Sequence, residues 1–149
     1  MIGEFEQYHG AAIRDLVVGA EQPICIEADD KHGRVNSFVV NDCIGIYIKH
    51  SSKRLPPWQF VYSDENLGET DRLAIRCRNV WLLHVCGRDG VVAINLDEFL
   101  AINPVEAETT SFVRVDRDRH TMYRVNGTGA KLSRPKRRGL AAIFDDLRI

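Results

Sequence analysis

The apolar positions of the first eighteen residues recur at helical spacing. Phe5, Tyr8, Ala12, Ile13, Leu16 and Val17 share one face, and Glu4, Glu6, Arg14 and Asp15 the other. This predicts a helix from about Phe5 to Val18, with Gly19 as its stop. A period of two then takes over. Ile24 to Ala28 reads as a strand opened by Pro23, and residues 29–33 as a polar turn. Val35 to Val40 and Ile44 to His50 flank Asn41-Asp42-Cys43, the pattern of a tight antiparallel hairpin. On its second strand Ile44, Ile46 and Ile48 face the core, which puts Tyr47, Lys49 and Ser51 on the opposite face. Pro56-Pro57 interrupts the chain, because neither ring nitrogen can donate to a ladder. The sheet is expected to resume at Trp58 to Tyr62.

Ser63 reads as an N-cap, followed by Asp64 and Glu65 at the positive end of a helix that runs to about Cys77. Val80 to Cys86 is the most apolar run and predicts a strand buried on both faces. Residues 87–90, Gly-Arg-Asp-Gly, turn it into a partner strand over 91–96. A short helix over 97–102 closes at Asn103-Pro104. After a polar stretch at 105–110, Phe112 to Asp116 and Met122 to Val125 alternate as a half-exposed hairpin whose outer face carries Arg114 or Arg124. A basic segment at 133–139 leads into a C-terminal helix. The order predicts an α+β fold: a mixed, largely antiparallel β-sheet with an N-terminal helix and two or three further short helices packed on it. We expect one domain over residues 1–149, with its core at about 5–104 and a basic C-terminal extension at about 105–149 packed on the same sheet.

Composition narrows the class. With 44% hydrophobic and 28% charged residues the chain is that of an ordinary globular protein. No 18-residue apolar run exists, which argues against a transmembrane helix and a membrane partner. The first ten residues lack the basic and apolar regions of a signal peptide. Four cysteines without a CxxC pair fit a reducing compartment, so a cytoplasmic location is expected. No GxSxG, P-loop or dinucleotide fingerprint is present. His84 and Cys86 share a strand face, but no second pair has zinc-site spacing, and His84 reads as a satisfied core histidine.

Charge changes the picture more. The net charge of −1 conceals alternating blocks. Residues 31–54 hold five bases against one acid, and residues 111–138 nine bases against two; the segments around them are acidic. Two arrangements follow: both basic blocks join in one face suited to a polyanion, or opposite blocks neutralise one another across the fold. Within the first block Lys49, Ser51, Ser52, Lys53 and Arg54 set cations beside small hydroxyl donors, the mixture that contacts a sugar-phosphate backbone. Trp58 and Tyr62 follow at strand spacing; exposed they stack on bases, buried they are core. Arg114, Arg124, Lys136, Arg137 and Arg138 are the candidate contacts in the second block.

The order helix, three strands, helix, strand, with a hairpin ending Ile-Tyr-Ile-Lys, resembles the core of PD-(D/E)XK nucleases, the restriction-endonuclease-like fold. That resemblance covers about residues 5–86. It implies Asp42 as a first metal-binding acid, Lys49 as the catalytic lysine and Mg²⁺ as cofactor, the ion and the lysine together offsetting phosphate charge. Tyr47 stands where the family has its second acid, so either that acid comes from Glu65, Glu69 or Glu27, or the chain is a degenerate relative that is no longer a nuclease. The stretch from Tyr47 to Phe60 also resembles one in uncharacterised bacterial proteins, which implies no activity. Two function classes result. One is nucleic-acid or phosphate-ligand binding, with a metal-dependent nuclease as its enzymatic version. The other is a non-enzymatic interaction module or homodimer that joins acidic to basic surfaces.

Overall fold

In a computed structural model of the chain, residues 1–29, 35–104 and 110–147 are described. The helical repeat at the N-terminus forms α1 (Glu4–Gly19). Three antiparallel strands follow as a meander: β1 (Ile26–Ala28), β2 (Ser37–Val40) and β3 (Ile44–Ser51). β1 and β2 begin two residues later than the apolar pattern suggests, and most of the turn expected at 29–33 lies outside the described residues. Asn41 and Asp42 turn the hairpin with positive φ (51° and 56°), the left-handed conformation these side chains tolerate. The Asn41 side chain also accepts from the Cys25 amide.

β4 (Trp58–Tyr62) has the expected limits but does not rejoin this sheet. α2 (Asp64–Arg76) then leads to β5 (Asn79–Cys86), which pairs parallel to β3, and β6 (Gly90–Asn95) returns antiparallel to β5. The first sheet therefore has the order β1-β2-β3-β5-β6. After α3 (Leu96–Ile102) come β7 (Ser111–Asp116) and β8 (Arg124–Asn126), with α4 (Ala141–Leu147) last. β7 pairs with β4, so the second sheet is β4-β7-β8. A single sheet with an extension laid on it is thus replaced by two sheets. The C-terminal third supplies the partners of a strand that belongs to the first half of the sequence.

The first sheet is buried on both faces. Ile44, Ile46 and Ile48 of β3, with Trp81, Leu83 and Val85 of β5, meet Ala12 and Leu16 of α1 and Ile143 of α4. On the other face Tyr47, Leu82 and Ile94 meet the inward row of the second sheet (Trp58, Phe60, Tyr62, Val113, Val115 and Val125), together with Leu73 of α2 and Phe99 of α3. Tyr47 therefore lies in a second core rather than on a solvent face. Gly45 permits the close approach of α2: a Cβ there would stand 3.1 Å from Leu73 Cβ and 3.3 Å from Val80.

Candidate functional site

The hairpin turn between β5 and β6 is the point where both basic stretches meet. β3 and β5 run parallel and in register to Ser51↔Cys86, so the chain leaving β3 emerges beside this turn. The Gly87 amide donates to Ser51 O (2.8 Å). Gly87 has φ +54°, and a Cβ there would stand 2.4 Å from Lys53 O. Only glycine leaves room for the loop. The loop over 51–57 is braced further: the Lys53 amide donates to Ser51 Oγ (3.3 Å), Trp58 Nε1 to Lys53 O (2.8 Å) and Lys53 Nζ to Pro57 O (2.9 Å).

Register brings the second block to the same end. Trp58 pairs with Val115 and Asp116 with Arg124, so the start of β4, the end of β7 and the start of β8 lie together. Asp89, in the turn, ties them down. One carboxylate oxygen accepts from Arg117 Nη2 (2.6 Å), and the other accepts a short hydrogen bond from the Tyr123 hydroxyl. The Asp89 carbonyl accepts from Arg138 Nη1 (3.3 Å). Arg117 lies over the Tyr123 ring at 4.8 Å. Burial first, and then the Asp89 carboxylate, push the Tyr123 hydroxyl above the usual tyrosine range.

The cations differ in what their charge is used for. Arg117 is paired with Asp89, Arg124 with Asp116 and Asp118 (3.6 and 3.2 Å), and Lys136 with Glu98 (2.5 Å). Lys53 and Arg138 donate to main-chain carbonyls, and neither is paired with an acid among the described residues. Arg54, Arg88, Arg114 and Arg137 are exposed and meet no acid among the described residues; so is Ser52, whereas Ser51 is half-buried. Both Arg114 and Arg124 stand on the outer face of the second sheet.

Lys49 does not belong to this surface. Its side chain turns under α2, donates to Asn66 Oδ1 (2.9 Å) and sits 4.8 Å from the Tyr62 ring centre. Asn66 closes the capping box with Ser63, so one side-chain amide both caps the start of the helix and holds the lysine. Asn66 Nδ2 also donates to the Tyr47 hydroxyl (2.9 Å), which receives Asn36 Nδ2 (3.1 Å) and donates to Glu69 Oε1 (3.1 Å). Burial lowers the Lys49 pKa, opposed by the Glu69 charge; burial and then Glu69 raise that of Tyr47. Next to this cluster, His84 is a satisfied core histidine. Val92 O can only accept, so Nδ1 (3.3 Å) carries the proton and Nε2 accepts from the Tyr62 hydroxyl (2.6 Å). Burial lowers its pKa to about 3.

The structure decides between two pairs of sequence readings here. Trp58 and Tyr62 are buried, their rings covered by the second sheet and α3, so neither offers a face to a base. Asp42 and Lys49 cannot act as a pair. Asp42 lies in the turn before β3, with its side chain 89% exposed and 3.7 Å from Arg76. The strand rise of about 3.3 Å per residue puts roughly 16 Å between Ile44 and Lys49 alone. Of the acids weighed as a second ligand, Glu69 reaches Tyr47, Glu27 pairs with Arg76, and Glu65 is exposed on the first turn of α2. Among the described residues no group of three or more His, Cys, Asp or Glu side chains is placed to hold a metal ion. The residues assigned to Mg²⁺ do not fit it.

Arg88, Asp89 and Arg117 were absent from the sequence candidates. Arg88 and Asp89 sit in a Gly-Arg-Asp-Gly turn whose turn chemistry masks any other role. The free cation next to a glycine pair was the available signal. No family model matches the chain, and no curated protein or solved structure shows significant similarity to it.

Proposed function

We propose that this protein binds nucleic acid, or another extended polyphosphate, at the end of the molecule built from the 51–57 loop, the 87–90 turn, the 117–123 loop and residues 136–138. The observation that carries this reading is the convergence of the two basic sequence blocks on one turn. Lys53, Arg54, Arg88, Arg137 and Arg138 keep their charge there, beside the Ser52 hydroxyl. The arrangement offers cations and hydroxyl donors, and among the described residues no group of three or more His, Cys, Asp or Glu side chains is placed there to hold a metal ion, so the reading is of a binding surface rather than a nuclease. Four cysteines without a disulfide fit a reducing compartment such as the cytoplasm.

The test is a titration of labelled duplex DNA and RNA across a range of salt. Five phosphate contacts predict a slope of roughly −4 to −5 in log affinity against log salt, the same for unrelated sequences. Arg54→Ala and Arg88→Ala should each flatten the slope by about 1. No binding at low salt, or a stable dimer in light scattering that buries this end, overturns the proposal.

A further inference from the structure

The basic end exposes apolar as well as charged groups. Leu55 is 64% exposed in the 51–57 loop, between Arg54 and Pro56, and Met122 is 41% exposed on the 117–123 loop. A leucine in a loose loop folds back onto the nearest apolar surface. This loop is braced by the Gly87–Ser51, Lys53–Ser51 and Trp58–Lys53 hydrogen bonds, and Leu55 stays exposed on it. The large aromatics of this end are turned inward, which removes the stacking platform a single strand requires.

We infer that the ligand is a nucleic-acid duplex, gripped through its phosphates by the surrounding cations, with Leu55 entering the groove as an apolar wedge between base steps. This rests on the polyanion-binding reading and adds the strandedness of the ligand and the role of one side chain. Wedge insertion combines Leu, Met or Pro with flanking Arg and Lys and bends the duplex away from the inserted residue. Arg54-Leu55-Pro56 supplies that combination on a braced support.

A wedge must unstack a step, so a duplex already unstacked by a two-base bulge binds more tightly than an intact one. We expect a preference of about tenfold or more for a bulged over an intact DNA duplex of equal length at one salt concentration. Leu55→Ser should abolish the preference while leaving the salt slope on intact duplex unchanged, and Leu55→Met should restore it. Wild-type protein without the preference, or Leu55→Ser that keeps it, overturns the wedge while salt-dependent duplex binding leaves the underlying reading standing. Tighter binding to a single strand than to either duplex also overturns it. Leu55-dependent binding to phosphatidylserine vesicles without bulge preference assigns the loop to a membrane surface instead. Failure to bind any nucleic acid at low salt removes both proposals.

Discussion

Replacing Asp89 by alanine tests the hub on which the basic end is built. Two of its contacts are lost and one, the main-chain bond to Arg138, is kept. The Tyr123 ring is buried, and its hydroxyl loses its carboxylate acceptor in a part-buried site, a cost of about 1–3 kcal/mol. Arg117 loses its carboxylate. Breaking a fully buried pair costs about 3–5 kcal/mol, but these side chains are 20% and 23% exposed, and solvent reduces that to about 1 kcal/mol. The sum is about 3 kcal/mol. For a chain of this length it lowers Tm by roughly 6–12 °C. Urea unfolding followed by tryptophan fluorescence reads the change, and Trp58 reports locally because its ring lies 6.3 Å from that of Tyr123. The reasoning also fixes the coupling. Once Asp89 is gone, Tyr123→Phe should cost about 1–2 kcal/mol less than it does in the wild type, because the hydroxyl it removes is already unsatisfied. A loss below about 1 kcal/mol for Asp89→Ala, or strict additivity with Tyr123→Phe, would refute the assignment.

Three further outcomes follow from the site. His84 has a folded pKa of about 3 against an ordinary 6.5, so between these values the unfolded chain takes up a proton that the folded one refuses. Its contribution to stability is complete above about pH 6.5 and falls by about 1.4 kcal/mol per pH unit as pH drops toward 3; in urea melts from pH 7 to 4, His84→Gln should remove that one-proton slope, and an unchanged slope counts against it. Gly87→Ala forces a side chain into the Lys53 carbonyl at positive φ, and we expect roughly 2 kcal/mol of destabilisation in thermal melts together with weaker duplex binding. Ser63→Ala removes the α2 cap at a cost of about 1 kcal/mol, measured in the same melts, and should leave the salt slope of duplex binding unchanged because Lys49 lies outside the basic surface.

Local signals in the sequence carried most of the elements, and non-local ones decided the site. The 41–43 hairpin, the Ser63 cap, the limits of β4 and the β5–β6 turn depend on neighbouring residues, and all were readable. Alternation correctly opposed Tyr47 and Lys49 to the three isoleucines, but it could not show that α2 and a second sheet cover that side as well. Trp58, Phe60 and Tyr62 announced one buried face of β4 without naming its partner, which arrives some fifty residues later in β7. The exposure of Trp58 hung on that partner, and so did the stacking idea. Asp89 is the clearest loss: its partners lie 28, 34 and 49 residues further on, and no spacing rule links them. The block pattern of charge left two arrangements open, one basic face or opposite blocks neutralising one another across the fold. It did not show that Lys49, Arg124 and Lys136 would be diverted from the basic face.

The diversion of β4 into the second sheet also governs the order of assembly. A nascent chain that has emerged only as far as residue 104 holds every strand of the first sheet, yet β4 has no ladder partner, and the row of Trp58, Phe60 and Tyr62 lacks the strands that cover it. Closure waits for β7, a long-range pairing whose loop-closure cost slows folding. The same pairing leaves the chain without a seam: neither sheet can be excised as a contiguous fragment. Chaperone capture of ribosome-bound fragments should accordingly persist until residues past 126 have cleared the exit tunnel.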